Sequence, residues 1–160
     1  AARTAPEMEP QHIANSLNAL GKLKVNALGG AMSELGWTAL VQAAARTAPE
    51  MNEQAVSNSF NGLSKLQAAA AAMSASDWTA LAQAVERTAP YMIPQAVANT
   101  LTALGKLMAA EKAMTAEGWV VLEKAAERTA PEMDDQQVAM TVHAYAKLPT
   151  VAAKVSPLAR

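Results

Sequence analysis

Apolar residues recur along this chain at helical spacing, and one stripe of them returns four times. Ile13, Leu17 and Leu20 stand at i, i+4 and i+7; Val56, Phe60, Leu63, then Val97, Leu101, Leu104, then Val138, Val142, Tyr145 repeat the pattern. That spacing places each set on one arc of an α-helix, the arc expected to be buried. A second stripe follows downstream, with Trp37 and Leu40, Trp78 and Leu81, and Trp119 and Leu122. The large indole rings are expected in the core. Each pair of stripes predicts one helix-turn-helix unit.

The unit boundaries are punctuated. Arg-Thr-Ala-Pro begins at Arg3, Arg46, Arg87 and Arg128, at intervals of 43, 41 and 41 residues. Each copy runs on through a methionine (Met8, Met51, Met92, Met133), a glutamine and a Lys-Leu pair. The first helix of a unit is expected to start after the methionine, with Pro10 or Pro94 at the first helical position, or with Glu53 or Asp135 there. Asn52 and Asp134 are good N-caps, whereas Glu9 and Ile93 are poorer ones. The second helix takes Ser33, Ser74 or Thr115 as its cap. It ends near the next Arg-Thr-Ala, because proline disfavours helical geometry in the residue before it. The two extra residues of the first unit fall between Lys22 and Met32, beside Gly29-Gly30, where a loop tolerates insertion.

These signals predict an all-α fold, an α-solenoid of helix-turn-helix repeats of about 41 residues with about seven helices. One domain spans 1–160, with repeats 3–45, 46–86 and 87–127 and a partial repeat 128–160. A lone hairpin cannot bury its own stripe, and stacking does, at roughly 1.5–3 kcal/mol for each large side chain covered. Neither end carries a polar capping unit, so the terminal faces are expected to be covered by neighbouring repeats or subunits.

Composition narrows the function more than the fold. Half the residues (51%) are apolar, and 13 basic against 14 acidic side chains leave a net charge of −1. That balance weighs against a generic polyanion binder. The absence of cysteine removes disulfides and thiolate-bound metals. The longest uncharged stretch, 88–105, is broken by Pro90, Pro94, Gln95 and Asn99, so no membrane span is expected and the chain reads as soluble. The two histidines, His12 and His143, occupy non-equivalent positions, and Gly29-Gly30 lacks the strand-loop-helix setting of a phosphate loop. No catalytic residue, metal site or cofactor is expected.

What stands out is a polar stripe on each first helix. Gln11, Asn15, Asn18 and Lys22 lie at i, i+4, i+7 and i+11; Gln54, Asn58, Asn61, Lys65 and Gln95, Asn99, Thr102, Lys106 repeat them. The last unit has Gln136, Met140, His143 and Lys147. Side by side, these stripes make a sheet of amides edged by lysines, suited to a polymer laid across the units. A structural use competes with that one. Mid-helix asparagine is unfavourable unless its side chain finds a partner, so Asn15, Asn58 and Asn99 could hydrogen-bond from unit to unit. The arginine row is expected to pair with nearby acids such as Glu7, Glu50 and Glu132.

The run from Gln54 to Leu66 (QAVSNSFNGLSKL), and its counterpart from Gln95 to Leu107 (QAVANTLTALGKL), resemble the octotricopeptide-type repeat, as does the Trp-x-x-Leu of Trp78 to Leu81 and Trp119 to Leu122. Ser64-Lys65-Leu66 and Lys147-Leu148-Pro149 bear a weaker resemblance to the SKWP-type repeats of bacterial effectors. The first resemblance implies a helical-repeat RNA binder of chloroplasts or mitochondria. The chain departs from that family in its longer period, and in having Asn18, Asn61, Thr102 and His143 where the family commonly has tryptophan. Two functions follow. The leading one is a non-catalytic scaffold that binds a protein partner, as a subunit or part of a larger assembly; the alternative is single-stranded RNA binding in organellar RNA metabolism.

Overall fold

The computed structural model describes residues 5–23 and 32–148, and every regular element among them is helical. The first helices of the sequence units are α1 (Pro10–Lys22), α3 (Glu53–Leu63), α6 (Pro94–Leu104) and α9 (Asp135–Lys147). The long second helices are α2 (Glu34–Thr47), α5 (Ala75–Thr88) and α8 (Ala116–Thr129). Their starts follow local chemistry. The side chains of Asn52 and Asp134 accept the N3 amides of α3 and α9, and Ser33, Ser74 and Thr115 do the same for α2, α5 and α8. Glu9 and Ile93 make no side-chain cap, and there proline opens the helix.

The expected count of about seven helices is too low: the described residues contain nine α-helices. The segment after each Lys-Leu, expected as a turn, winds into six-residue helices in two units, α4 (Gln67–Ala72) and α7 (Met108–Ala113). Alanine favours the helix without any stripe. Neither segment has a side-chain cap, and each buries a single residue, Ala69 or Ala110. Sequence pattern therefore gave no signal for them. The Gly29-Gly30 insertion lies outside the described residues.

The helices form two layers. In one, α1 packs on α3, α3 on α6 and α6 on α9; in the other, α2 packs on α5 and α5 on α8. The core runs between them, with Ile13, Leu17, Val56, Phe60, Val97 and Leu101 from the first layer against Trp37, Trp78 and Trp119 from the second. The last stripe breaks the expectation of burial. Val138 is 45% and Val142 63% exposed, whereas their counterparts Val97 and Leu101 are at most 1% exposed. The reason is positional: α1, α3 and α6 each pack on the long second helix that follows them (α2, α5 and α8), and no described helix follows α9.

The recurring Arg-Thr-Ala-Pro-x-Met, in which the tripeptide around Pro forms a short 3-10 turn, acts as a clamp between units. The buried hydroxyls of Thr47, Thr88 and Thr129 donate to the carbonyls four residues back (Ala43, Ala84, Ala125; 2.7–2.9 Å), occupying acceptors at the helix end. Arg87 Nη2 donates to the Ala48 and Met51 carbonyls (2.9 and 2.7 Å), Arg128 to Met92 (2.7 Å) and Arg46 to Ala5 (3.4 Å). The three described arginines thus engage the turn of the preceding unit, a correction to the expected pairing with acids such as Glu50 and Glu132, and Arg3 lies outside the described residues. Orphan carbonyls in a part-buried turn are better partners than solvated carboxylates. Met51, Met92 and Met133 in turn accept the hydroxyls of Ser59, Thr100 and Thr141 on their sulfurs.

Candidate binding surface

The polar stripes of α1, α3 and α6 face one side of the first layer, because each lies opposite an apolar stripe that the second layer covers, and α9 packs beside α6. Between them runs a groove of about 690 Å³. Asn18, Lys22, Gln54, Asn58, Asn61, Lys65, Gln95, Asn99, Thr102, Lys106 and Gln136 all line it. Gln11, Asn15, His143 and Lys147 lie outside its lining. Gln11 turns along its own helix and donates to Asn15 Oδ1 (3.2 Å), and His143 and Lys147 are exposed on α9.

Within the groove the asparagines do two different things. Between α1 and α3 they bond to one another: Asn61 Nδ2 donates to Asn18 Oδ1 (2.8 Å), Asn58 Nδ2 to Asn15 Oδ1 (3.3 Å) and Asn18 Nδ2 to Asn58 Oδ1 (3.4 Å). Between α3 and α6 the ladder stops. Thr102 stands where Asn61 and Asn18 do, and its Oγ1 is buried without a partner. It shares that condition with only one other described side-chain atom, Trp119 Nε1 in the second layer. A buried hydroxyl without a bond carries a desolvation cost.

The lysine row is packed as well as charged. A methyl added at Gly21 would lie 3.4 Å from the Lys65 Cβ, and one at Gly105 would lie 3.6 Å from the Lys147 Cβ. Lysine stems therefore run over small residues of the neighbouring unit. Partial burial, then the charges of Lys106 and Lys22, push the Lys65 ammonium below the usual lysine range. The three ammonium groups share one field along one edge of the groove.

The opposite edge has another character, and the stripe pattern missed it. Glu53, Ile93, Asp134 and Gln137 stand at the first turns of α3, α6 and α9 and line the groove there. Ile93 is 60% exposed. Ser57, Ala96 and Ala98 form a small-residue floor, with Met140 at the α9 end. The signal for the edge was present in the sequence, since these residues sit at or next to helix caps beside the glutamine row. No described residue lining the groove is aromatic. The described residues include no group of three histidine, aspartate or glutamate side chains placed to hold a metal ion, and no helix among them is long and apolar enough to cross a membrane.

Comparison with known proteins adds no relative: no family model matches the chain, nor does any curated protein or solved structure.

Proposed function

We propose that this protein is a non-catalytic binding module, an α-solenoid of helical repeats whose groove holds an extended segment of a protein partner. One observation carries the reading: polar side chains from four successive first-layer helices, far apart in sequence, converge on a single groove. Side-chain amides offer a donor and an acceptor each, the pair a peptide backbone presents, and they transfer no proton at neutral pH. Such an amide row binds and positions. Side-by-side units of this kind favour a linear ligand over a compact one.

The lysine row favours a second reading, single-stranded RNA on the same stripe, as the resemblance to octotricopeptide repeats implies. Two features make it the lesser one. Sequence-tolerant binding of single strands relies on aromatic platforms for the bases, and the described lining has none. Glu53 and Asp134 also repel a phosphate backbone along the other edge.

The test is selection of random twelve-residue peptides on the immobilised chain, with Asn99→Trp as counter-target. Asn99 is half-buried in the groove, so an indole there fills it. Peptides enriched on the parent and lost on the variant are expected. Equal enrichment on both, or retention of a single-stranded RNA pool by the parent alone at physiological salt, would overturn the protein reading.

A further inference from the structure

The amides of the groove are not equivalent. Towards the lysine edge, Asn18, Asn58 and Asn61 are taken up by bonds to one another and to Asn15. Towards the first turns of α3, α6 and α9 they are open. Among the described residues, the side-chain amides of Gln54, Gln95, Asn99 and Gln136 make no hydrogen bond. The three glutamines are exposed and Asn99 is half-buried, so a ligand reaches all four. An accessible amide without a partner can donate and accept with no bond of the protein's own to break.

The charged edges are far apart on the scale of one peptide chain. Glu53 opens α3, and Lys65 stands two residues past its end. At the rise of an α-helix their backbones are roughly 15–18 Å apart. Paired extended chains lie about 5 Å apart, so a single one occupies one side of such a groove. The open amides favour the side of Glu53, Ile93 and Asp134. These three come from successive helices that pack side by side, which puts the apolar residue between two acids. Ile93 is exposed and makes no cap. Asp134 accepts the Gln137 amide on Oδ1 (2.8 Å), and its Oδ2 has no partner among the described residues. Acidic side chains are repelled from this edge. A basic group on each side of an apolar one is matched at all three positions.

We infer that the partner's segment is a basic one, extended across the first turns of α3, α6 and α9, with an apolar side chain against Ile93 and a lysine or arginine on either side, at Glu53 and Asp134. This rests on the proposed protein-binding function and names its class of partner. The backbone of the segment bonds to the amides of Gln54, Gln95, Asn99 and Gln136, which holds it without reading its sequence. The edge reads the sequence, through charge at Glu53 and Asp134 and apolar contact at Ile93. The lysines opposite repel the same segment from the other side of the groove.

Fluorescence anisotropy at physiological salt tests this with a labelled peptide, Lys-Ser-Lys-Ser-Leu-Ser-Lys-Ser-Lys. Alternate residues of an extended chain share a side, so its lysines stand about 7 and 13 Å from the leucine in both directions. It is expected to bind about tenfold more tightly than its glutamate-for-lysine counterpart, since two attractions become two repulsions. Over its serine-for-leucine counterpart the gain should be about threefold. Glu53→Gln combined with Asp134→Asn should abolish the first preference, and Ile93→Ser the second. Asparagine and serine are good caps, so these variants keep their helix starts, and unchanged helical circular dichroism shows each folded. Gln95→Ala with Asn99→Ala should weaken the lysine peptide about fivefold and leave both preferences in place, because the amides hold backbone. No binding of the lysine peptide, equal affinity for its glutamate counterpart, or a charge preference that survives Glu53→Gln with Asp134→Asn overturns the inference. If the random selection yields groove-specific peptides that are acidic or lack the basic–apolar–basic order, the inference falls and the proposed function stands. If no peptide is lost on Asn99→Trp, or the parent alone retains the RNA pool, both fall.

Discussion

Two interfaces of the first layer share one plan and differ in detail. Where α3 meets α1, the small position is Gly62; where α6 meets α3, it is Ala103. A methyl on Gly62 would lie 2.5 Å from the backbone carbon and oxygen of Leu17 and 2.8 Å from the Asn18 nitrogen. The two helices thus touch backbone to backbone, which only glycine allows. The same contact carries the asparagine network, with Asn61 and Asn18 joined at 2.8 Å. In the neighbouring interface the alanine carries the methyl that Gly62 lacks, and threonine, with one short polar branch, leaves its Oγ1 unbonded. Close approach and amide pairing go together, and losing one accompanies losing the other.

The largest break in this comparison is Gly62→Ala, which forces α1 and α3 apart and should cost about 2–3 kcal/mol in urea unfolding. Ala103→Gly removes a methyl from a site that has room for it. It should cost under about 1 kcal/mol, mostly through the flexibility of the unfolded chain. If both changes cost the same, the contrast between the interfaces is wrong.

Smaller is the effect on the arginine clamps, which show the reverse asymmetry. Arg87 bonds two carbonyls at 2.9 and 2.7 Å, and Arg46 bonds one at 3.4 Å. Arg87→Gln should lose about 1–1.5 kcal/mol after allowing for the exposure of its side chain, and Arg46→Gln about 0.5 kcal/mol or less. Chemical denaturation of the two variants in parallel measures the difference.

The amides sharpen the comparison further. Asn61→Ala should cost about 1 kcal/mol, and a double-mutant cycle with Asn18→Ala should show coupling, whereas Asn99→Ala should fall within about 0.3 kcal/mol of the parent. Thr102→Val removes an unbonded hydroxyl and should stabilise the free protein by about 0.5–1 kcal/mol. A loss of stability in Thr102→Val would mean that the hydroxyl has a partner after all.

The smallest effect at neutral pH lies on α9, where Tyr145 replaces the buried Leu63 and Leu104 of the other units. Burial, then the charges of Glu123 and Glu127, push the phenol up to about 12. The unfolded phenol loses its proton near pH 10 while the folded one keeps it, so its contribution is full below pH 10 and is lost as the pH rises through about 12. Thermal melts at pH 9 and pH 11 should therefore separate more for the parent than for Tyr145→Phe. Equal separation would remove Tyr145 from the alkaline response.

Much of this was legible along the chain. The stripe of Val56, Phe60 and Leu63 placed α3, and Asn52, Ser74, Thr115 and Asp134 marked helix starts, because caps and helical faces are set between residues at most a few positions apart. The polar stripe named eleven of the side chains that line the groove, since those positions share one arc of each helix. The six-residue helices α4 and α7 escaped because uncapped alanine carries neither signal.

What only the tertiary structure decided depends on partners distant in sequence. Arg87 meets a carbonyl 36 residues before it, and Asn61 meets an amide 43 residues before it. No local pattern states whether an arginine turns to a carboxylate nearby or to a carbonyl in the previous unit. The same holds for Val138 and Val142, which repeat the buried apolar spacing and yet are exposed. Periodicity determines which face of a helix is apolar; the neighbouring helix determines whether that face is covered, because burial belongs to the pair and not to the residue.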